Sequence, residues 1–262
     1  MSAAASSAYV EIDARSYEST ALTRGPWDPG HQHGGPPIAL VGRAIARAAA
    51  ALGMNHVARL TANLVRPVPI APLALEVWPD YAGRNVAHFA GRLSAGGREV
   101  VRFTAVAQRE EPLELAAPAL PRAVKAPAGL EPVVFPHRAG VTGYHDLVEL
   151  RVAEGTLTRG PCAVWFRLRH PLVAGEAPGA LERVAVAADS GNGISAELDF
   201  KRWIFVNSDL TINLLRPPEG EWICIDARTL LGPRGGGIAE ARIFDERGLV
   251  GRSTQSLHVR PR

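Results

Sequence analysis

Three polar residues sit where a packed chain ought to be apolar. Asp189 ends the run Val184-Ala185-Val186-Ala187-Ala188, and Gln255 falls in the alternating stretch Ser253 to Val259, with Asn207 between them in the chain. A carboxylate leaving a buried helix costs free energy unless it is hydrogen-bonded. Desolvation is then expected to raise its pKa toward a value useful to a general base. A core-facing Gln has four hydrogen-bonding positions to fill and needs polar company. Beside an Asp, its chemistry is that of a holder for water or a carbonyl oxygen. The plainer readings are a helix-terminal Asp ahead of the Ser190-Gly191-Asn192-Gly193 turn and a satisfied structural amide.

Two loops carry further chemistry-bearing residues. His31 and His33 have a spacing seen in metal sites, but no Cys, His or carboxylate cluster accompanies them locally, so no metal is expected. His33-Gly34-Gly35 precedes an apolar helix, where glycines let a backbone approach a ligand closely. These three are read as lining a substrate path. Gly232 to Gly237 is Gly-rich but lacks the Lys-Ser/Thr ending of a phosphate loop, so a hairpin turn is expected there and no cofactor.

An internal repeat singles out the three polar positions. LTANLVRP at 60–67 returns as LTINLLRP at 210–217, and the match continues without a gap to residue 259. Beyond the opening phrase it keeps Arg84 with Arg234, Arg92 with Arg242, Val100 with Val250, Arg102 with Arg252 and Thr104 with Thr254. At the same offset Ala39 faces Asp189, Val57 faces Asn207 and Ala105 faces Gln255. The second copy is polar where the first is not.

Each copy has one order of elements. Residues 9–24 read as two short strands, followed by a Gly/Pro loop at 25–35. A helix then opens on Pro36-Pro37 and stops at Gly53; it is apolar nearly all round and must be buried on most sides. Strands follow at RLTANLVR, LALEVW, NVAHFAGRL and REVVRFTAVAQR, the last two joined at Ala95-Gly96-Gly97. Residues 110–136 hold six prolines without a sustained period and read as a linker. HDLVELRVA and AVWFRLRH read as strands, LERVAVAADS as the second helix, and strands follow from Val206, Trp222, Ile238 and Gly248. The expected units are 1–109 and 137–262.

A chain of 262 residues with 47% hydrophobic and 21% charged residues can bury two sizeable cores. The net charge of +3 comes from scattered arginines, without the dense basic run of a nucleic-acid arm. Cys162 and Cys224 stand outside any metal or redox spacing, which suits free thiols in a reducing compartment. The start MSAAASSAY has no basic, apolar leader, and no stretch is long enough to span a membrane; a cytoplasmic protein is expected.

One buried helix followed by long antiparallel strands is an α+β layout in which a curved sheet wraps a helix, the hotdog arrangement, here in tandem. H-G-G before the first helix, N-L-x-R-P after it, A-A-D-S-G-N-G in the second helix region and S-T-Q-S-L near the end resemble the double-hotdog acyl-CoA thioesterases of the type II group. The resemblance covers about residues 10–262. It implies an acyl-CoA substrate and an Asp, a Gln and a hydroxyl residue of the second hotdog that orient and deprotonate water. Asp189 and Gln255 match the first two. Counting back from Arg216-Pro217 puts Asn207 at the third, where the family often carries Thr. Backbone N–H groups near a helix start would face the oxyanion. Two other classes compete: an acyl-CoA or lipid-binding module without catalysis, and a hotdog hydratase, which needs a His with a carboxylate partner. No motif among the eight histidines supplies that pair. Association of such units through sheet edges or faces is common, so a homodimer is expected.

Overall fold

The computed structural model describes residues 6–115, 124–135 and 140–262. The first five residues, part of the Pro-rich segment and its end at Pro136 lie outside them.

The first half contains β1 (Tyr9–Asp13), β2 (Ser16–Ser19), a single 3-10 turn (Ala21–Thr23), α1 (Gly35–Ala51), β3 (His56–Leu64), β4 (Pro72–Ala82), β5 (Val86–Ala95) and β6 (Arg98–Gln108). The second contains β7 (Pro132–Val133), α2 (Tyr144–Leu147), β8 (Val148–Gly155), β9 (Cys162–Leu168), α3 (Ala180–Ala188), α4 (Gly191–Ile194), β10 (Trp203–Asn207), β11 (Asp209–Leu214), β12 (Ile223–Leu231), β13 (Gly236–Asp245) and β14 (Gly248–Pro261). The stretch HDL, expected as strand, is helical in α2 because the Asp146 carboxylate accepts from the Gly143 N–H and the Asp146 N–H reaches back to the Gly143 carbonyl.

All strands join one antiparallel sheet in the order β1-β2-β4-β5-β6-β3-β11-β14-β13-β12-β9-β8-β7, with β10 paired to β14 beside that path. From β1 to β8 this order reads as its own mirror image under the sequence repeat. The seam is β3 against β11, and there Thr61 faces Thr211, its equivalent in the other copy, with the hydroxyl oxygens 3.1 Å apart. A local twofold therefore passes between two copies of the same threonine. The repeated phrase recurs because it is the strand that joins the halves, edge to edge.

Helix α1 is held by packing. Its cap residue Gly34 has no side chain to offer, and every residue from Gly35 to Arg43 is buried. Complete burial of Ile38, Leu40 and Ile45 contributes roughly 1.5–3 kcal/mol each. Beyond Arg43 the helix turns amphipathic, with Ala46, Arg47 and Ala50 exposed, so it is less enclosed than its composition implies. Helix α3 runs antiparallel against it: Gly35 abuts Val186 and Gly42 abuts Leu181. Arg43, 3% exposed, is a cation inside this layer. It bonds Glu176 at 2.7 and 2.8 Å and the Tyr17 hydroxyl at 3.0 Å, and it pairs with Glu11. A buried guanidinium needs such partners, and these tie α1 to β1 and to the 171–179 loop of the second half.

The described end of the Pro-rich segment packs on the outer face of the second half. Lys125 O accepts from Trp165 Nε1 at 2.7 Å, Pro127 O accepts from Arg151 at 3.0 Å, and Val124 and Leu130 cover Trp165, Trp222 and Phe244. Among the described residues no helix is long and apolar enough to cross a membrane.

Next to the seam, within the second half, β14 passes close to β11. A Cβ on Gly251 would stand 2.1 Å from the Asn213 carbonyl oxygen, a backbone atom that cannot yield without breaking the ladder. Gly251→Ala should lower the unfolding free energy in urea by at least about 2 kcal/mol, whereas a change below about 0.5 kcal/mol would contradict this packing.

Candidate active site

The helix of the second half breaks where the polar residues begin. Helix α3 ends at Ala188, Asp189 is its C-cap, and α4 restarts at Gly191, whereas α1 runs unbroken through the equivalent Ala39 and Leu40. The break turns the Asp189 side chain off the α3 axis into the space between α1 and β14.

Four groups close on that carboxylate, which is 5% exposed. Asn207 Nδ2, at the end of β10, donates to Oδ1 at 2.9 Å. Gln255 Nε2, on the inward face of β14, donates to the Asp189 carbonyl at 3.1 Å and to Oδ1 at 3.4 Å. His33 Nδ1 lies 3.0 Å from Oδ2. The same nitrogen is 3.1 Å from the Gly35 amide, yet it cannot accept from Gly35 while donating to Asp189. A buried anion needs donors more than an imidazole needs one, so Nδ1–H is assigned to Asp189, and the Gly35 N–H also serves the carboxylate.

The expected upward shift of Asp189 is not found. Burial pushes the carboxyl up, but the His33 charge and hydrogen bond, with those of Asn207 and the Gly35 N–H, outweigh it and hold the group below the ordinary 3.8. Desolvation is the right cause; the donors that accompany it reverse the sign. The expectation that helix-start N–H groups would face an oxyanion also changes at α1. Pro36 and Pro37 have no N–H, and that of Gly35 is committed to Asp189.

His33, Gly34 and Gly35 all border the carboxylate. A Cβ on Gly34 would lie 2.8 Å from Asp189 Oδ2, and one on Gly35 would lie 2.7 Å from Val186 O, so this approach of loop to helix requires glycine at both. His31 turns away to Asp28, at 3.4 Å, so the two histidines serve different partners. The His–carboxylate pair that no motif announces is His33 with Asp189, assembled from opposite halves.

Sequence reasoning passes over three residues of this site. The Tyr144 ring stacks on His33 with centroids 3.8 Å apart and planes within 4°. Its hydroxyl donates to Val186 O at 2.8 Å and meets Ser190 Oγ at 3.0 Å. Burial pushes the Tyr144 phenol well up, keeping it neutral. Asn192 N–H donates to Gln255 Oε1 at 3.1 Å, which fixes the orientation of the Gln amide. Asn192 is visible in A-A-D-S-G-N-G, where it reads as part of a turn; Tyr144 has no local signal.

A cleft of about 130 Å³ opens elsewhere, bordered by Gly42, Val57, Leu181 and the buried Glu182. At the repeat offset Val57 stands for Asn207, but Ala39 and Ala105, which stand for Asp189 and Gln255, do not line the cleft, and neither do Asp189, Asn207 and Gln255. Its size does not make it the place for the chemistry.

Two family models match the chain: the acyl-CoA thioesterase N-terminal domain over residues 23–108 and the C-terminal domain over residues 125–259. The chain belongs to the acyl-CoA thioesterase family. All three polar residues and the Tyr144 clamp fall in the part matched by the C-terminal thioesterase domain; His33 falls in the N-terminal one. Solved structures agree on the fold. A candidate thioesterase from Novosphingobium aromaticivorans is 22% identical with a TM-score of 0.76, covering 96% of this chain and 98% of its own. A hotdog-fold protein from Alicyclobacillus acidocaldarius is 17% identical with a TM-score of 0.74, covering 97% of both. The acyl-CoA thioesterase II TesB2 of Mycobacterium marinum is 16% identical with a TM-score of 0.64, covering 97% of this chain and 95% of its own. No curated protein matches the sequence.

The lowered Asp189 carboxyl has a consequence for stability in acid. It binds its proton less readily folded than unfolded, so its contribution is complete above the unfolded value near 3.8 and is lost as pH falls through the folded value. Asp189→Asn should therefore be destabilised against the wild type at neutral pH, with a gap that narrows below about pH 3 in urea titrations. A gap that widens on acidification would contradict the lowered value.

Proposed function

We propose that the chain hydrolyses acyl-CoA thioesters by activating one water at Asp189, with residues 1–109 and 137–262 as its two hotdog units. The observation that carries this reading is the convergence of Asn207, Gln255 and His33 on a single buried carboxylate in a chain of the thioesterase family.

A thioester carbonyl is already electrophilic, so the protein has to supply a held water, a base and charge stabilisation. Asp189, kept ionised, accepts one water proton. Both amide hydrogens of Asn207 are engaged, on Asp189 and on Asp209 O, while its Oδ1 makes no hydrogen bond among the described residues. That oxygen is placed to accept the second water proton and so to fix the lone pair toward the acyl carbon. The carbon–oxygen bond forms as the carbon–sulfur bond breaks, and the departing thiolate takes up the proton. Gln255 and His33 hold the carboxylate in place, and Tyr144 holds the imidazole. His33, Gly34 and Gly35 border the carboxylate, which supports placing the acyl path along them. Asn207 differs from the family's usual hydroxyl residue, but it offers the acceptor that this step needs.

A second reading is acyl-CoA or lipid binding without turnover. The mutual satisfaction of Asp189, Gln255 and Asn207 favours it, since a saturated network is also a good structural plug. Thiol release from acyl-CoAs of graded chain length separates the two. Hydrolysis is expected in the wild type, with kcat lowered about 10²–10⁴-fold by Asp189→Asn and retained within about tenfold by Asn207→Thr. Undiminished turnover in Asp189→Asn would reject the assignment, and binding without thiol release in the wild type would establish the second reading.

A further inference from the structure

We propose that the nucleotide end of coenzyme A docks on the basic sheet edge where β10 begins and β14 finishes, at Lys201, Arg202 and Arg262. The inference rests on the thioester reading and adds to it the part of the substrate that carries the phosphates.

Strand β10 links the two places. Asn207 touches Asp189 at one end, and Trp203 lies four residues away at the other, about 13 Å at a strand's rise per residue. Phe205 and Asn207 share a strand face, so the wall of the site continues toward that edge. The loop that ends in His33 and Gly34 packs on this strand. Its Trp27 packs on Phe205 with centroids 5.5 Å apart and on Phe200 at 5.7 Å. The loop and the strand that leave the carboxylate meet at this edge.

The edge they reach is positive. Arg262 N–H donates to Arg202 O at 3.1 Å, which brings the two arginines side by side, and Lys201 precedes them. Arg260 pairs with Ile204, and Val259 N–H donates to Gly235 O at 2.8 Å, which adds Arg234 from the β12–β13 turn. All five cations are exposed, and none makes an ion pair among the described residues. The acidic side chain beside these cations, Asp199, accepts from the Lys201 backbone at 2.8 Å. In a chain whose formal net charge is +3, this is a local concentration and not a share of a uniformly basic surface.

Arg262 is prepared for a phosphate. Its Nε donates to Phe200 O at 2.7 Å, and its guanidinium lies 5.6 Å over the Trp27 ring. The stacking and the Nε bond fix the plane and leave the two terminal nitrogens without a partner among the described residues, a fork that matches two phosphate oxygens. An anion seat about 13 Å along β10 from the buried carboxylate suits a carrier with its phosphates at one end and its thioester at the other.

The test compares one acyl group on three carriers: coenzyme A, dephospho-coenzyme A and N-acetylcysteamine, which has no nucleotide. Lys201→Glu with Arg202→Glu, and Arg262→Ala separately, are compared with the wild type. The double variant should raise KM for the coenzyme A thioester about tenfold or more, raise it less for dephospho-coenzyme A, and leave kcat/KM for the N-acetylcysteamine thioester within about twofold. Arg262→Ala should do the same more weakly. Unchanged kinetics with coenzyme A, or an equal loss on all three carriers, would overturn the proposal. Calorimetry of free coenzyme A with the same variants reads binding independently of turnover. Weakened binding in the double variant supports the seat, and equal binding removes it. A wild type that binds coenzyme A through this edge yet releases no thiol would sink the hydrolytic reading alone.

Discussion

The buried carboxylate of Asp189 is the constraint on which the rest of the structure turns. A charge that is 5% exposed survives only if donors are brought to it, and here they come from four places in the chain. His33 arrives on the loop before α1, Gly35 at the start of that helix, Asn207 at the end of β10 and Gln255 on β14. The loop and helix start of the first half are far in sequence from the two strands of the second. Each is delivered by the sheet and by the antiparallel contact of the two helices. The donors also decide the protonation state: burial acting alone would make a neutral acid, whereas the assembled ring makes an anion.

Duplication explains how such a ring could be built on a fold that would otherwise be symmetric. The twofold through Thr61 and Thr211 supplies two equivalent spaces between helix and sheet. In one, Ala39, Val57 and Ala105 keep the helix continuous and the surroundings apolar. In the other, Asp189 interrupts the helix, and the amides of Asn207 and Gln255 meet it. His33 and the two glycines after it show that the halves are not independent, since the first half's loop closes the second half's site. The Arg43 clamp with Glu11 and Glu176 ties α1 to β1 and to the loop that leads into α3.

Much of this is legible in the residues. The 150-residue offset locates the seam and the equivalent strands, and comparing the copies at that offset picks out Asp189, Asn207 and Gln255. A chain that writes the same strand twice uses it in the same way twice, so the fold follows from the repeat. Distance across the halves cannot be read in this way. His33 looks like a loop histidine because its partner lies on the far side of the sequence. Tyr144 looks like an ordinary aromatic because stacking on an imidazole leaves no spacing in the sequence. The sign of the Asp189 shift fails for the same reason: its burial can be inferred from the surrounding alanines and valines, but the number of donors cannot. The Pro-rich segment reads as a linker, yet residues 124–133 cover tryptophans of the second half through single contacts without a periodic pattern.

In the proposed reaction Asp189 works as an anion held low by its neighbours. The most direct measurement is the pH dependence of kcat for acyl-CoA hydrolysis, followed downward from neutral for as long as the protein stays folded. A plateau is expected whose acid limb lies below the ordinary aspartate value of 3.8. An acid limb near neutrality, removed by Asp189→Asn, would show that the carboxyl is raised and would contradict the account.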